Sequence, residues 1–219
     1  MNATLLLVAA AALQGSAVTE PNTKVAFPVE LQTPAGVQAL AGTGVRTRTM
    51  LKVKVYAFGL YVDPGARTAL SAWHGKTAAD LARDKALYDE LLKGSFPMTM
   101  RLVMTRNVGG EQMAEAFDGA LAPRVAQAAT RGMAGGAEAL VRFRGFFTDK
   151  LASGTELLFT WAPGDRLMAS IGGRPVGEIE NAALCWALFD VYLGSDPISP
   201  EGKKTVIARL PEVLQGGMP

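Results

Sequence analysis

The chain of 219 residues has one cysteine and one histidine. A lone thiol, Cys185, excludes an intramolecular disulfide, and His74 by itself cannot complete a Cys/His cluster at metal-ligand spacing. No metal or other cofactor is expected, and a Ser-His-Asp or Cys-His machine would have to run on His74 alone. Charge of one sign is missing too: 22 Lys plus Arg stand against 20 Asp plus Glu, for a net +2. That balance supplies no basic field for a phosphate backbone, so nucleic acid is not an expected partner. Long apolar runs are also absent. The one run, Leu5 to Leu13, is shorter than the roughly 20 residues that a membrane span needs, and no second candidate follows it.

That run, followed by Gly15, Ser16 and Ala17, has the shape of a signal peptide cleaved near Ala17. Residues 1–17 are read as this leader and residues 18–219 as one domain, exported to the periplasm or secreted. No Lys or Arg precedes Lys24, and without a functional leader the chain would be cytoplasmic. No cysteine follows the run, which excludes a lipoprotein anchor.

Apolar residues make up 49% of the chain, enough for a full core. Strands are expected at Val25–Leu31, with Pro28 marking an edge or bulge, and at Val37–Met50 and Val53–Val62. Helices follow at Ala66–His74 and Thr77–Lys93, the second capped by Thr77. Phe96–Arg106 alternates as a strand with Met98, Met100, Leu102 and Met104 on one face. Helices at Glu111–Thr130 and Ala137–Phe147 precede strands at Thr155–Trp161, Leu167–Ile171 and Arg174–Glu180, the last two joined by Gly172-Gly173. Asn181–Leu193, apolar on nearly every side, reads as a buried helix, and Ser199-Pro200 opens a last one. Short links between strands imply antiparallel pairing and an α+β fold.

The segment GTGVRTRTMLKVKVYAFGLYVD, Gly42 to Asp63, carries the chemistry. A tight hairpin centred on Leu51 sets Arg46 opposite Tyr56, both on the face that also holds Phe58, Leu60 and Val62. A guanidinium and a phenol in an apolar surface suit the carboxylate or enolate end of a hydrophobic ligand. Two other readings stay open: Glu178 or Glu180 neutralises Arg46 internally, or Arg46 is exposed. Gly42-Thr-Gly44 lacks a third glycine and runs into a strand, so no dinucleotide loop is expected. His74 reads as exposed or capping, Cys185 as an inert core thiol, and Lys52 and Lys54 as a solvated hairpin tip.

Three segments together resemble the chalcone isomerase superfamily: Gly42–Asp63, GGEQMAEAFDGAL from Gly109 to Leu121, and IENAALCWALFDVYLGSDPISPEGKKTVIARLPEVL from Ile179 to Leu214. The resemblance implies an open-faced β-sandwich, a large antiparallel sheet covered on one face by helices, with a ligand cleft between the layers. It also implies one of two functions. Plant members close chalcones without a cofactor, using an arginine with polar helpers, and other members bind fatty acids through an arginine and a tyrosine. The arginine matches Arg46, whereas the enzymes' threonine, tyrosine, asparagine and second threonine fall at Tyr56, Gln112, Gly119 and Val191.

Gly119 and Val191 offer no hydrogen-bonding side chain, so the water-ordering network is absent while Arg46 and Tyr56 keep the carboxylate clamp. The expected function is noncatalytic binding of a fatty acid or similar amphipathic carboxylate. Arg46 and Tyr56 would meet the anion, and Gln112, Met100, Met104, Leu184, Leu188 and Val191 would complete the ligand site. The alternatives are a cofactor-free intramolecular lyase or isomerase using Arg46 and Tyr56, and an interaction module whose cleft is filled.

Overall fold

A computed structural model describes residues 16–48 and 53–215. Most of the segment read as a leader, the hairpin centre at Leu51, and Lys52 lie outside the described residues. Two short strands, β1 (Ala17–Thr19) and β2 (Ala26–Pro28), pair with each other. Seven more form a single antiparallel sheet in chain order: β3 (Glu30–Thr33), β4 (Gly36–Arg48), β5 (Val53–Val62), β6 (Met98–Met104), β7 (Glu156–Ala162), β8 (Arg166–Ile171) and β9 (Arg174–Glu180). Each strand pairs with its successor, as short connections require.

Strand alternation creates two unequal faces. One presents Tyr56, Phe58, Leu60 and Val62 of β5, Met98, Met100, Leu102 and Met104 of β6, and Phe159 and Trp161 of β7, all buried in the main core. The helices supply the other half of that core: α1 (Ala66–Ala69), α2 (Ala78–Arg83), α3 (Lys85–Leu91), α4 (Gly110–Thr130), α5 (Gly136–Arg144), α6 (Ala182–Leu193) and α7 (Pro200–Gln215). This is the α+β architecture expected, a large antiparallel sheet with its helices on one face.

The opposite face is not bare. Leu40, Ala57, Tyr61, Val103 and Leu158 form a smaller core with Phe27 and Leu31 under β2. Tyr61 donates its hydroxyl to the Pro28 carbonyl at 3.0 Å, and Arg101, ion-paired with Glu156, donates to the Ala26 carbonyl at 3.2 Å.

Three elements differ from their sequence reading. Val25–Leu31 divides at Val29, whose N–H goes to Ser16 and whose carbonyl accepts from Leu40, so the chain crosses there from the small sheet to the large one. Thr77–Lys93 is two helices, because the Asp84 carboxylate accepts the Leu87 N–H and starts a new helix in place of the old. Ala66–His74 is a single helical turn followed by a 3-10 turn at Ser71–Trp73. The remaining signals hold. Thr77 caps α2, Asn181 caps α6 by accepting the Leu184 N–H at 2.9 Å, and Gly172-Gly173 turn between β8 and β9 with φ of 58° and 77°.

Helix α7 lies against the backbone of β4. A Cβ on Gly42 would sit 2.5 Å from Val206 Cα, and one on Gly44 would sit 2.7 Å from Gly202 Cα. The Thr205 hydroxyl meets the Thr43 carbonyl across this seam. The Gly42-Thr-Gly44 motif is therefore a helix-packing surface.

Gly42→Ala is expected to lower unfolding free energy by about 1–3 kcal/mol in urea titrations, since backbone must move to admit the methyl. Gly119→Ala, in α4 with nothing within 4 Å of its Cβ position, should instead raise it by about 0.5–1 kcal/mol.

Candidate functional site

Gly42, Gly44 and Arg46 share one face of β4, and the register pairs Gly44 with Phe58 and Arg46 with Tyr56. The next strand continues the row, with Met104 beside Tyr56. A β-bulge follows at once, between Arg46 and Thr47, so the alternation that turns Arg46 toward the helices holds up to Arg46 itself. Above this row runs α6, where Leu184, Leu188, Val191 and Tyr192 recur at helical spacing and form one stripe. Tyr192 closes the stripe: its hydroxyl lies 3.0 Å from that of Tyr56, and its ring meets Phe58 at 4.9 Å between centroids.

Arg46 is half-buried, and its Nη1 donates to the Ile198 carbonyl at 3.4 Å, beyond the usual length of an N–H···O bond. Among the described residues no carboxylate lies within 4 Å of it. Glu178 and Glu180 belong to β9, at the far edge of the sheet from β4, and Glu178 faces Arg166 at 3.4 Å. Internal neutralisation by those two acids is thereby corrected: the sheet order separates them from Arg46.

Tyr56 and Tyr192 are 6% and 2% exposed. Burial holds the Tyr56 hydroxyl above the ordinary tyrosine range, although the Tyr192 hydroxyl and the positive charge of Arg46 pull it partly back. Burial pushes Tyr192 up further. Both phenols therefore stay protonated at neutral pH and act as donors. One of the pair donates to the other, which leaves a second O–H beside a guanidinium lacking a carboxylate. An oxyanion fits this arrangement, whereas a general base would need a lower pKa.

The loop between α6 and α7 is held by three cations from three elements. Arg46 of β4 reaches the Ile198 carbonyl, Arg124 of α4 the Asp196 carbonyl at 2.5 Å, and Lys203 of α7 the Gly194 carbonyl at 2.8 Å. Arg124 also pairs with Asp190 at 2.9 Å, each side chain 14% exposed, and Lys203 sits 3.8 Å above the Tyr88 ring. The Ile198 N–H returns to the Val191 carbonyl at 2.9 Å.

The other anticipated site residues are distributed unequally. Met100, Met104, Leu184, Leu188 and Val191 are buried between sheet and helices, packed in the main core. Gln112 lies on the exposed side of α4 and is not part of this group, because the buried side is set by its neighbours Met113, Ala114, Phe117 and Leu121. Open cavities occur elsewhere. One of about 590 Å³ is bordered by Lys85, Lys93, Arg131, Trp161 and Trp186, and one of about 380 Å³ lies beside Phe146 and Val176. His74 is exposed and Cys185 is buried, its thiol donating to the Asp165 carbonyl at 3.3 Å, as expected of bystanders. Tyr192, Arg124, Lys203 and the Ile198 carbonyl escaped the sequence reading. The signal for Tyr192 was present, since a hydroxyl in so apolar a helix must find a partner.

The family described as "Chalcone isomerase like" matches residues 38–207. Among curated proteins, a chalcone–flavanone isomerase of Zea mays is 33% identical over 207 residues, covering 88% of each chain. Its counterpart in Oryza sativa subsp. japonica is 30% identical, covering 87% of this chain and 88% of its own. Fatty-acid-binding protein 2 of Arabidopsis thaliana is 29% identical, over 85% of this chain and 49% of that one. In fold, the crystal structure of an Arabidopsis thaliana fatty-acid-binding protein superposes with a TM-score of 0.78 at 24% identity, over 91% of this chain and all of the other.

The two buried phenols bind their protons more tightly folded than unfolded. The stability this confers is complete below about pH 10, the ordinary tyrosine value, and falls as pH rises above it. Spectrophotometric titration should show the Tyr56 phenolate appearing above that value and the Tyr192 phenolate well above it in the native protein, and both near it in denaturant.

Proposed function

The chain belongs to the chalcone isomerase-like family, and from that premise we propose that it binds a fatty acid or similar amphipathic carboxylate without catalysing a reaction. The observation that carries this reading is a guanidinium with no carboxylate within 4 Å among the described residues, set opposite a protonated phenol on the apolar side of the sheet. The ligand carboxylate would accept from Arg46 and from the Tyr56–Tyr192 pair. The acyl chain would run along the row that starts at Met104 and continues to Met100, beneath Leu188 and Val191. These side chains fill the space in the present conformation, so the tail must displace them. Thioethers with three rotatable bonds suit that repacking, and each buried methylene contributes about 0.8 kcal/mol.

Fatty-acid-binding relatives support the reading, as does Val191, an apolar residue buried in α6 beside Tyr192. Identity to the maize and rice isomerases favours a second reading, cofactor-free ring closure with Arg46 stabilising an oxyanion. The two phenols, held protonated, could orient a substrate but could not abstract a proton at neutral pH. We also propose export with cleavage near Ala17, the first residue of β1.

Calorimetric titration with dodecanoate is expected to show binding that weakens about 10- to 100-fold in Arg46→Ala, the worth of a charge-assisted contact, and less in Tyr56→Phe. Naringenin chalcone should not turn over. Turnover that is lost in a folded Arg46→Ala variant would establish the enzyme instead. Amino-terminal sequencing of native protein should begin near Ala17, and an intact Met1 would contradict export.

A further inference from the structure

Admission of a carboxylate to the Arg46 site poses a steric problem. Tyr56 and Tyr192, which would complete the clamp, are 6% and 2% exposed, so in this conformation their hydroxyls are shut off from solvent. The segment adjoining them is the α6–α7 loop, residues 194–199. It begins two residues after Tyr192, and its Ile198 carbonyl occupies the Arg46 head group. Gly194 and Ser199, its two ends, are buried, whereas Ser195 and Asp196 at its middle are exposed.

Covalent connection to α6 and α7 does not account for how this loop is held. Three cationic side chains, each from a different element of the fold, donate to alternate carbonyls along it: Lys203 to Gly194, Arg124 to Asp196 and Arg46 to Ile198. Two of these anchors are themselves fixed, Arg124 by Asp190 at 2.9 Å and Lys203 by the Tyr88 ring at 3.8 Å. The Arg46 contact, at 3.4 Å, is the longest of the three. It is also the one made by the group that a carboxylate would engage, and a carboxylate accepts a guanidinium more strongly than a neutral carbonyl does.

We propose that the loop Gly194–Ser199 is the gate of the carboxylate site, with Ile198 releasing Arg46 to an incoming anion and with Arg124 and Lys203 as positioning residues that set how often the gate opens. This rests on the carboxylate reading above. It adds a kinetic role for two residues whose hydrogen bonds go to the loop, to Asp190 and to Ala120 rather than to Tyr56 or Tyr192. The ligand class that exploits such a gate is a long-chain carboxylate, whose head group exchanges with the Ile198 carbonyl while its tail enters between Met104 and Val191.

Lys203→Met keeps an unbranched apolar side chain at this position and removes both the bond to Gly194 and the cation over the Tyr88 ring. Stopped-flow mixing with 11-(dansylamino)undecanoic acid should then show association and dissociation both faster by about tenfold, the worth of one charged hydrogen bond, with the dissociation constant unchanged within about twofold. Hydrogen exchange should rise at the Gly194 and Ile198 amides and stay constant in β6. Arg124→Lys, which retains the charge facing Asp190, provides a second variant with the same expectation.

Unaltered rates alongside faster loop exchange would overturn the gate while leaving the carboxylate site standing. Weaker equilibrium binding without faster kinetics would also overturn it, making the loop part of the binding wall. Failure of the unsubstituted protein to bind the probe would overturn the carboxylate reading, and the gate with it.

Discussion

Helix α7 approaches β4 so closely that only backbone fits between them. Gly42 and Gly44 on the strand and Gly202 on the helix leave no room for a methyl, and the Thr205 hydroxyl bridges to the strand carbonyl at Thr43. The loop beside the candidate site takes its position from this seam. The helix begins at Pro200, so seating it on β4 also fixes Ser199 and Ile198, and thereby the carbonyl that meets Arg46. A side chain at either strand glycine would lift the start of the helix and carry the loop away from the guanidinium.

A positive charge half-buried on the apolar side of a sheet must be compensated. This fold does so with dipoles: a backbone carbonyl and, nearby, a pair of phenols. Contrast the opposite face, where Arg101 stands against Glu156 and the Ala26 carbonyl and carries a full counter-charge. The two arginines show two solutions to one electrostatic demand within a single sheet. Only the second brings a carboxylate to its arginine.

The repetitive parts of the chain were legible from the sequence. Strand alternation in β5 and β6, the glycine turn after β8, the caps at Thr77 and Asn181 and the pairing of Arg46 with Tyr56 follow from local rules. What was not legible depended on competition between local and distant partners. Asp84 looks like any helix residue until its carboxylate captures the Leu87 N–H. The strand at Val25–Leu31 reads as continuous because nothing in it reveals that Val29 must serve two sheets. Arg124 and Lys203 were invisible for the same reason, since their partners are backbone carbonyls 72 and nine residues away, with no sequence signature. Gln112 stands apart from the buried group for another reason: a match to a family position does not say which way a helix is rotated, and here Met113 and Phe117 take the buried side.

The irregularity between Arg46 and Thr47 separates the hairpin into two regimes. On the sheet side Arg46 faces Tyr56, while beyond it Thr47 pairs with Lys54 and Arg48 with Val53, in a register offset by one residue. An odd number of residues can thus be absorbed without inverting the side chains that follow. The pairing of Arg48 with Val53 therefore does not dictate which way Arg46 points.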